Sequence, residues 1–198
     1  MNRLLALSLL SLTPLATRAQ AAVPPAAEQI AAAVLPLPAE MRAGAKVLGY
    51  RTAGKLEMLR NGSNGMTCLA LYVARPNFHV ACYHDGLEPF MARGRELREQ
   101  GITQLERVDS ARFAEIASGR LRMPSHGVLY SLTARDKAAW NPATSTATGA
   151  VPLMVMYMPF ATGKTTGLSE VPVASGPWLM SPGTAKAHVM MVGAMGSQ

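Results

Sequence analysis

The chain has 198 residues, and its 19 basic and 12 acidic side chains give a formal charge of +7 at pH 7. These charges are spread along the chain without a separate block of Lys or Arg, which excludes the usual electrostatic signature of a nucleic-acid-binding protein. No stretch after the first 21 residues has the apolar length of a membrane span, so no transmembrane helix is expected.

The first 21 residues have the three zones of a cleavable bacterial secretory signal peptide. A short region carrying Arg3 precedes the apolar segment Leu4–Leu15, which is too short to span a bilayer. Small residues then allow cleavage after Ala21 or, alternatively, after Ala19. No Cys follows the apolar segment, so no lipid anchor is expected. We therefore expect a periplasmic or secreted protein.

Residues 22–44 form an N-terminal segment rich in Ala and Pro that is expected to contain one short helix. Pro25 suits the first position of a helix over Ala26–Leu35, and Pro36 and Pro38 end it. The remaining residues, 45–198, are expected to form a single α+β domain.

Short apolar runs broken by turn residues then predict an antiparallel meander. The four predicted strands are Lys46–Arg51, Lys55–Arg60, Met66–Val73 and Phe78–His84. Gly54 and the Asn- and Gly-rich residues 61–65 tolerate positive φ and are typical of turns between such strands.

The apolar period then changes from two to 3.6, which predicts two helices. The first runs from about Leu87 to Leu97 and ends at Gly101. The second opens on a capping-box pattern, Thr103 and Glu106, and ends at a glycine, residue 119. Arginines and acids of these helices are interpreted as solvated faces with i,i+4 pairs.

The last third of the chain returns to the strand period. The predicted strands are Val128–Thr133, Val151–Pro159 and His188–Val192, with a loop at 140–149. Residues 161–186 are expected to be irregular, with Trp178 as an anchor into the core. The predicted fold is α+β: an antiparallel sheet of about six or seven strands with two central helices packed on one face.

The two cysteines, Cys68 and Cys82, are predicted to form a disulfide. If Met66–Val73 and Phe78–His84 form a hairpin in which facing residue numbers sum to 150, Cys68 lies opposite Cys82. An oxidising compartment keeps such an isolated pair bonded. His79 has the other parity and is expected to point to the opposite face.

A soft-metal site is an alternative interpretation of the same hairpin and of the methionine-rich strands. Thioether and imidazole side chains suit Cu(I), and exported copper-handling proteins use them. A bonded cystine cannot supply thiolates, however, and Met also fills irregular gaps in apolar cores. The candidate metal ligands are Met66, His84, His188 and Met190.

A small envelope enzyme is the second alternative, with its site where the fourth strand meets the first central helix. The candidate catalytic residues are His84, Asp85, Glu88 and Arg93. Polar groups often converge at such junctions, but no zinc-protease, thioredoxin-like or nucleophile-elbow motif is present. Whether the protein is an enzyme therefore stays open at this point.

Three segments of the chain resemble an uncharacterised group of exported bacterial proteins. They are residues 68–97, with His79-Val80-Ala81-Cys82-Tyr83-His84 at their centre, Pro177-Trp178-Leu179-Met180, and Gly183-Thr184 with His188. The resemblance implies export and brings no established activity. The leading prediction is therefore an exported, non-catalytic domain that has no cofactor and whose partner is unknown. In the alternative interpretation as a soft-metal-binding protein, the cofactor is copper.

Overall fold

A computed structural model of the protein describes residues 22–52, 54–72, 74–173 and 176–193. The predicted signal peptide, residues 1–21, lies outside the described residues. Among the described residues, the fold is mixed α+β, with an eight-stranded sheet, a two-stranded sheet and five α-helices. The predicted α+β class is confirmed. The predicted count of six or seven strands is wrong, because an additional short strand joins the main sheet.

The main sheet has the strand order β2-β1-β3-β4-β5-β8-β10-β9. Its strands are β1 (Lys46–Thr52), β2 (Lys55–Arg60), β3 (Met66–Leu69), β4 (Phe78–His84), β5 (Gly127–Ala134), β8 (Val151–Tyr157), β9 (Trp178–Met180) and β10 (His188–Val192). The small sheet pairs β6 (Trp140–Asn141) with β7 (Thr146–Ala147). The helices are α1 (Ala26–Ala33), α2 (Ala39–Arg42), α3 (Glu88–Glu99), α4 (Leu105–Ala117) and α5 (Gly163–Thr166), and Asp85–Leu87 and Lys137–Ala139 form 3-10 turns.

The expected meander is wrong at one position, because β3 pairs with β1 in parallel. β2 forms a hairpin on the outer side of β1, with two register shifts, and the chain then returns to the inner side of β1. Burial explains this order. Three of the four residues of β3 are buried, whereas β2 carries Lys55 and Arg60 and has no buried residue. The apolar strand thus takes the interior place and the charged strand takes the edge.

The predicted hairpin register is confirmed in β3 and β4. Cys68 pairs with Cys82 and Met66 pairs with His84, and the two cysteines form a disulfide. The Sγ atom of Cys82 lies 3.2 Å from the carbonyl oxygen of Ala33 at the end of α1. We call this side of the sheet the α1 face, since α1 packs on the disulfide and the apolar side chains around it.

The opposite side, which we call the α3 face, is partly covered by α3 and α4. Side chains alternate along a strand, so Tyr83 points away from the disulfide and packs with Leu87 and Phe90. β5 comes close beneath this layer, because a Cβ atom on Gly127 would lie 2.8 Å from the Leu87 side chain. The two helices cover only part of this face, and the uncovered part contains a groove.

Glycines end the two central helices as predicted, with φ of 88° at Gly101 and 74° at Gly119. The predicted capping box of the second helix is wrong: α4 begins at Leu105, and its N-cap residue makes no side-chain capping bond. The amide of Ile102 donates to the carbonyl of Leu97, at 2.9 Å. This bond extends the C-terminal turn of α3 and delays the start of α4.

The segment expected to be irregular contains two regular elements. A reciprocal capping box between Thr162 and Thr165 starts α5, and Trp178 lies in β9, which pairs with β10. The Trp178 side chain is half-buried on this edge strand, with its Nε1 atom buried, so its predicted role as an anchor in the core holds only in part. Among the described residues, no helix is long and apolar enough to cross a membrane.

Candidate functional site

The uncovered part of the α3 face forms a groove of about 500 Å³. Its floor consists mainly of apolar side chains from four neighbouring strands, together with the hydroxyl side chain of Ser131 on β5, and one wall is the first turn of α4. The apolar floor residues are Ala81, Leu129, Leu153, Val155 and Met190. Leu105 of α4 and Met180 of β9 also line the groove and are 50% and 40% exposed, so the groove opens to solvent between them.

Three soft donor side chains lie at the β9–β10 side of this groove. His188 pairs directly with Met180 across the two strands, and Met190 follows His188 by two residues on β10. Side chains two residues apart on a strand share a face, and all three residues line the groove. Two thioethers and one imidazole therefore face the same space.

The imidazole of His188 is held in a defined orientation. Its Nδ1 atom lies 2.6 Å from the carbonyl oxygen of Lys186, and its ring is 5.3 Å from the ring of Tyr157. A carbonyl only accepts, so Nδ1 donates and Nε2 of the neutral ring keeps its lone pair. Such a bond from one ring nitrogen to a carbonyl is what orients a metal-binding histidine.

Burial lowers the pKa of His188 below its ordinary value. The ring is therefore neutral at neutral pH, which is the form that binds a metal ion. Lys186 contributes in the same direction through its charge, while the charge of Asp109 and the hydrogen bond to the Lys186 carbonyl oppose it.

A partly buried ion cluster lies beside the three donors. Asp109 of α4 accepts hydrogen bonds from Arg112 on one carboxylate oxygen and from Lys186, at 2.8 Å, on the other. Burial raises the pKa of Asp109, but these two bonds outweigh it and hold that pKa below its ordinary value. The guanidinium of Arg112 also lies over the ring of Phe90, 3.7 Å from its centre. The carboxylate is thus fully engaged by cations.

His79 lies in the groove on β4, on the face opposite the disulfide as its parity predicted. Its Nδ1 atom is 2.8 Å from the hydroxyl of Thr133. Burial, with a smaller contribution from the charge of Arg75, lowers the pKa of His79 below its ordinary value. This histidine is therefore also neutral at neutral pH.

The lowered pKa values of His79 and His188 predict that acid destabilises the fold. In the unfolded chain both rings take up a proton near the ordinary value of 6.5, whereas the folded rings resist it. The free energy of unfolding should therefore fall as the pH drops below about 6.5. Urea denaturation at pH values between 8 and 5 measures this. His79→Gln should weaken the pH dependence, and the exposed control His126→Gln should leave it unchanged. A constant stability over this range would contradict the prediction.

Two of the four candidate catalytic residues make separate local contacts at the β4–α3 junction. His84 is exposed, and its Nδ1 accepts a hydrogen bond from the amide of Gly86. Asp85 accepts a hydrogen bond from the hydroxyl of Thr67 and lies 3.4 Å from the ammonium of Lys46. The His84–Gly86 hydrogen bond closes the turn between the strand and the helix, and the contacts of Asp85 tie this turn to β3 and β1.

The other two candidate catalytic residues form ion pairs on α3. Glu88 pairs with Arg95 at 2.6 Å, and Arg93 pairs with Glu115 of α4 at 2.7 Å. Each of the four junction residues thus has a different set of partners, and none of them lines the groove. The β4–α3 junction is therefore separate from the groove.

The four candidate metal ligands divide between two places. Met66 and His84 pair across β3 and β4, but Met66 is buried in the core beneath α1 whereas His84 is exposed. His188 and Met190 share the groove. Within the described part of the chain, no three His, Cys, Asp or Glu side chains are grouped so as to hold a metal ion. Methionine is not one of these four residue types, and its thioether can also bind a soft metal ion.

Sequence reasoning missed Met180, because it lies in a segment rich in Gly, Pro and Thr without a strand period. It also missed Asp109 and Lys186, which are 77 residues apart in the chain. The one signal available in the sequence was the Trp-Leu-Met run at 178–180. If this run is a strand, its first and third residues lie on the same face.

Comparison with known proteins finds no family, no curated protein and no solved structure that the chain matches. The resemblance to exported bacterial proteins stays an expectation from the sequence. The chemistry of the chain's own residues therefore has to indicate its function.

Proposed function

We propose that the protein is an exported metal-binding domain that holds a soft ion, Cu(I), with Met180, His188 and Met190. The observation that carries this proposal is the presence of two thioethers and an oriented, neutral imidazole on one face of the β9–β10 pair. Thioether and imidazole ligands select soft ions over Mg²⁺ or Ca²⁺, which prefer oxygen.

The surroundings of the three side chains support a monovalent ion. Two carboxylates line the groove. Asp109 already neutralises Arg112 and Lys186, so it is not free to bind a dication. Glu106 lies on the α4 wall rather than on the strands that carry the three donors. The floor of the groove is mainly apolar, which disfavours a strongly hydrated ion. A neutral set of soft donors in such surroundings suits Cu(I) better than Zn²⁺.

Export is part of the proposal and is supported by two further observations. The Cys68–Cys82 disulfide is compatible with an oxidising compartment such as the periplasm or the exterior. The N-terminal zones of a signal peptide point to the same compartments. No lipid anchor and no nucleic-acid partner form part of this proposal.

Titration of the purified protein with Cu(I), in ascorbate and a competing chromogenic chelator, tests the proposal. His188→Gln, Met180→Leu and Met190→Leu should each weaken binding by at least about tenfold, since even contacts behind the ligands contribute that much. Leucine keeps the size of methionine and removes only the sulfur donor, so the fold should be preserved.

The controls come from the same hairpins. Met191→Leu changes a thioether on the same strand that packs on the opposite face, and His84→Ala changes the exposed histidine of β4. Both variants should bind Cu(I) as the wild type does. If the triple variant of Met180, His188 and Met190 binds as tightly as the wild type, the proposal is wrong. If only His84→Ala weakens binding, the metal site lies at β3 and β4 instead.

A further inference from the structure

We propose that the indole of Trp178 forms one wall of this metal site and makes it select monovalent soft ions, Cu(I) and Ag(I), over Zn²⁺. This inference rests on the proposed function and assigns a specificity-determining residue to it. Trp178 pairs with Met190 across β9 and β10, just as Met180 pairs with His188.

The alternation of β9 places Trp178 on the same face as the three donors. Leu179, between Trp178 and Met180, is fully buried in an apolar cluster with Val189 on the α1 face. Its two neighbours on the strand therefore belong to the α3 face. Two adjacent pairs, Trp178 with Met190 and Met180 with His188, thus form a rectangle of one aromatic and three donor side chains.

The indole occupies this position at a cost to folding. Its Nε1 atom is buried, and no acceptor among the described residues lies within hydrogen-bonding distance. A buried donor without a partner is destabilising, and a phenylalanine would fill much of the same space without one. Tryptophan differs from phenylalanine in having the ring face that attracts cations most strongly.

The chemistry of the two metals explains the selectivity. Zn²⁺ takes four nitrogen, sulfur or oxygen ligands in a tetrahedron. The indole offers a bound ion a π face and no lone pair, so it does not complete the Zn²⁺ tetrahedron, whereas it attracts a soft monovalent cation through its π electrons. The site should therefore hold a three-coordinate soft ion against the indole face.

The chain contains only two tryptophans, which gives the experiment an internal control. Trp140 lies in the two-stranded sheet and stacks on Phe78, with ring centres 6.2 Å apart. The probe is Ag(I), which does not change its oxidation state in air. Ag(I) should quench the fluorescence of the wild type and of Trp140→Phe, and it should not quench that of Trp178→Phe.

Affinity measurements complete the test. Trp178→Leu removes the aromatic face and should weaken Cu(I) binding by about tenfold, within the range that cation–π contacts supply, while Zn²⁺ binding should not weaken. Circular dichroism checks that Trp178→Leu folds. If it does not fold, the quenching experiment with Trp178→Phe decides whether the indole contacts the metal ion. Quenching that persists in Trp178→Phe, or Cu(I) binding by a folded Trp178→Leu equal to that of the wild type, would overturn this inference alone. A wild type that binds neither Cu(I) nor Ag(I) would overturn the proposed function as well.

Discussion

Replacing Asp109 with Ala is expected to lower the free energy of unfolding by about 3–5 kcal/mol, because it leaves a buried cation without its partner. The Arg112 side chain is only 6% exposed, and Asp109 is its ion-pair partner. The same carboxylate holds Lys186, so the substitution also removes the tie between α4 and the β9–β10 connection. Urea denaturation followed by circular dichroism measures the change.

Two further variants separate the loss of charge balance from the loss of packing. Glu99→Ala removes an exposed acid near the end of α3 and should change the stability by no more than about 0.5 kcal/mol. The double variant Asp109→Leu, Arg112→Met replaces the ion pair with apolar side chains and should recover most of the lost stability. If Asp109→Ala is as stable as Glu99→Ala, the buried pair does not have the role assigned to it.

Reduction of the Cys68–Cys82 disulfide is expected to lower the free energy of unfolding by about 3 kcal/mol, since the bond restricts a short loop of the unfolded chain. The two cysteines are 14 residues apart and both are fully buried between α1 and the sheet. Denaturation of oxidised and reduced protein, with alkylation to count thiols, measures the difference.

The double variant Cys68→Ala, Cys82→Ala is the control for this measurement. It should be less stable than the oxidised wild type, and a reductant should not change its stability further. If the reduced and oxidised wild-type proteins unfold at the same urea concentration, the chain-entropy argument does not apply to this loop.

Local patterns predicted much of the fold. The β3–β4 register was predicted by placing Cys68 opposite Cys82 in a hairpin, as a disulfide requires. Two glycines correctly predicted the ends of the central helices. All seven predicted strands are present. The parallel pairing of β1 with β3 was not predictable in this way, because it depends on which of two strands is more apolar after the chain has turned twice. Such a comparison involves several strands at once, and a short stretch of sequence does not contain this information.

The candidate site was only half visible in the sequence. His188 and Met190 lie in a strand with a clear period, and they were predicted as ligands together with Met66 and His84. Met180 lies in a three-residue strand that pairs with β10 on one side and meets Ser169 on the other, and both partners lie outside the local sequence pattern. The polar residues of the β4–α3 junction were attractive candidates in the sequence, yet Glu88 and Arg93 are bound to charged neighbours on α3 and α4. Spacing along a chain does not reveal such partners.

The two outer strands of the main sheet have a consequence for self-association. β2 carries Lys55 at its start and Arg60 at its end, and its two register shifts bend it away from a flat outline. At the other end, β9 has three residues, and Ser169 already bridges Trp178 on its outer side. Long, flat, uncharged edge strands are the ones to which strands of other chains add to form fibrils. Neither β2 nor β9 is a long, flat, uncharged edge strand, so the addition of strands from other chains is disfavoured at both edges of the sheet.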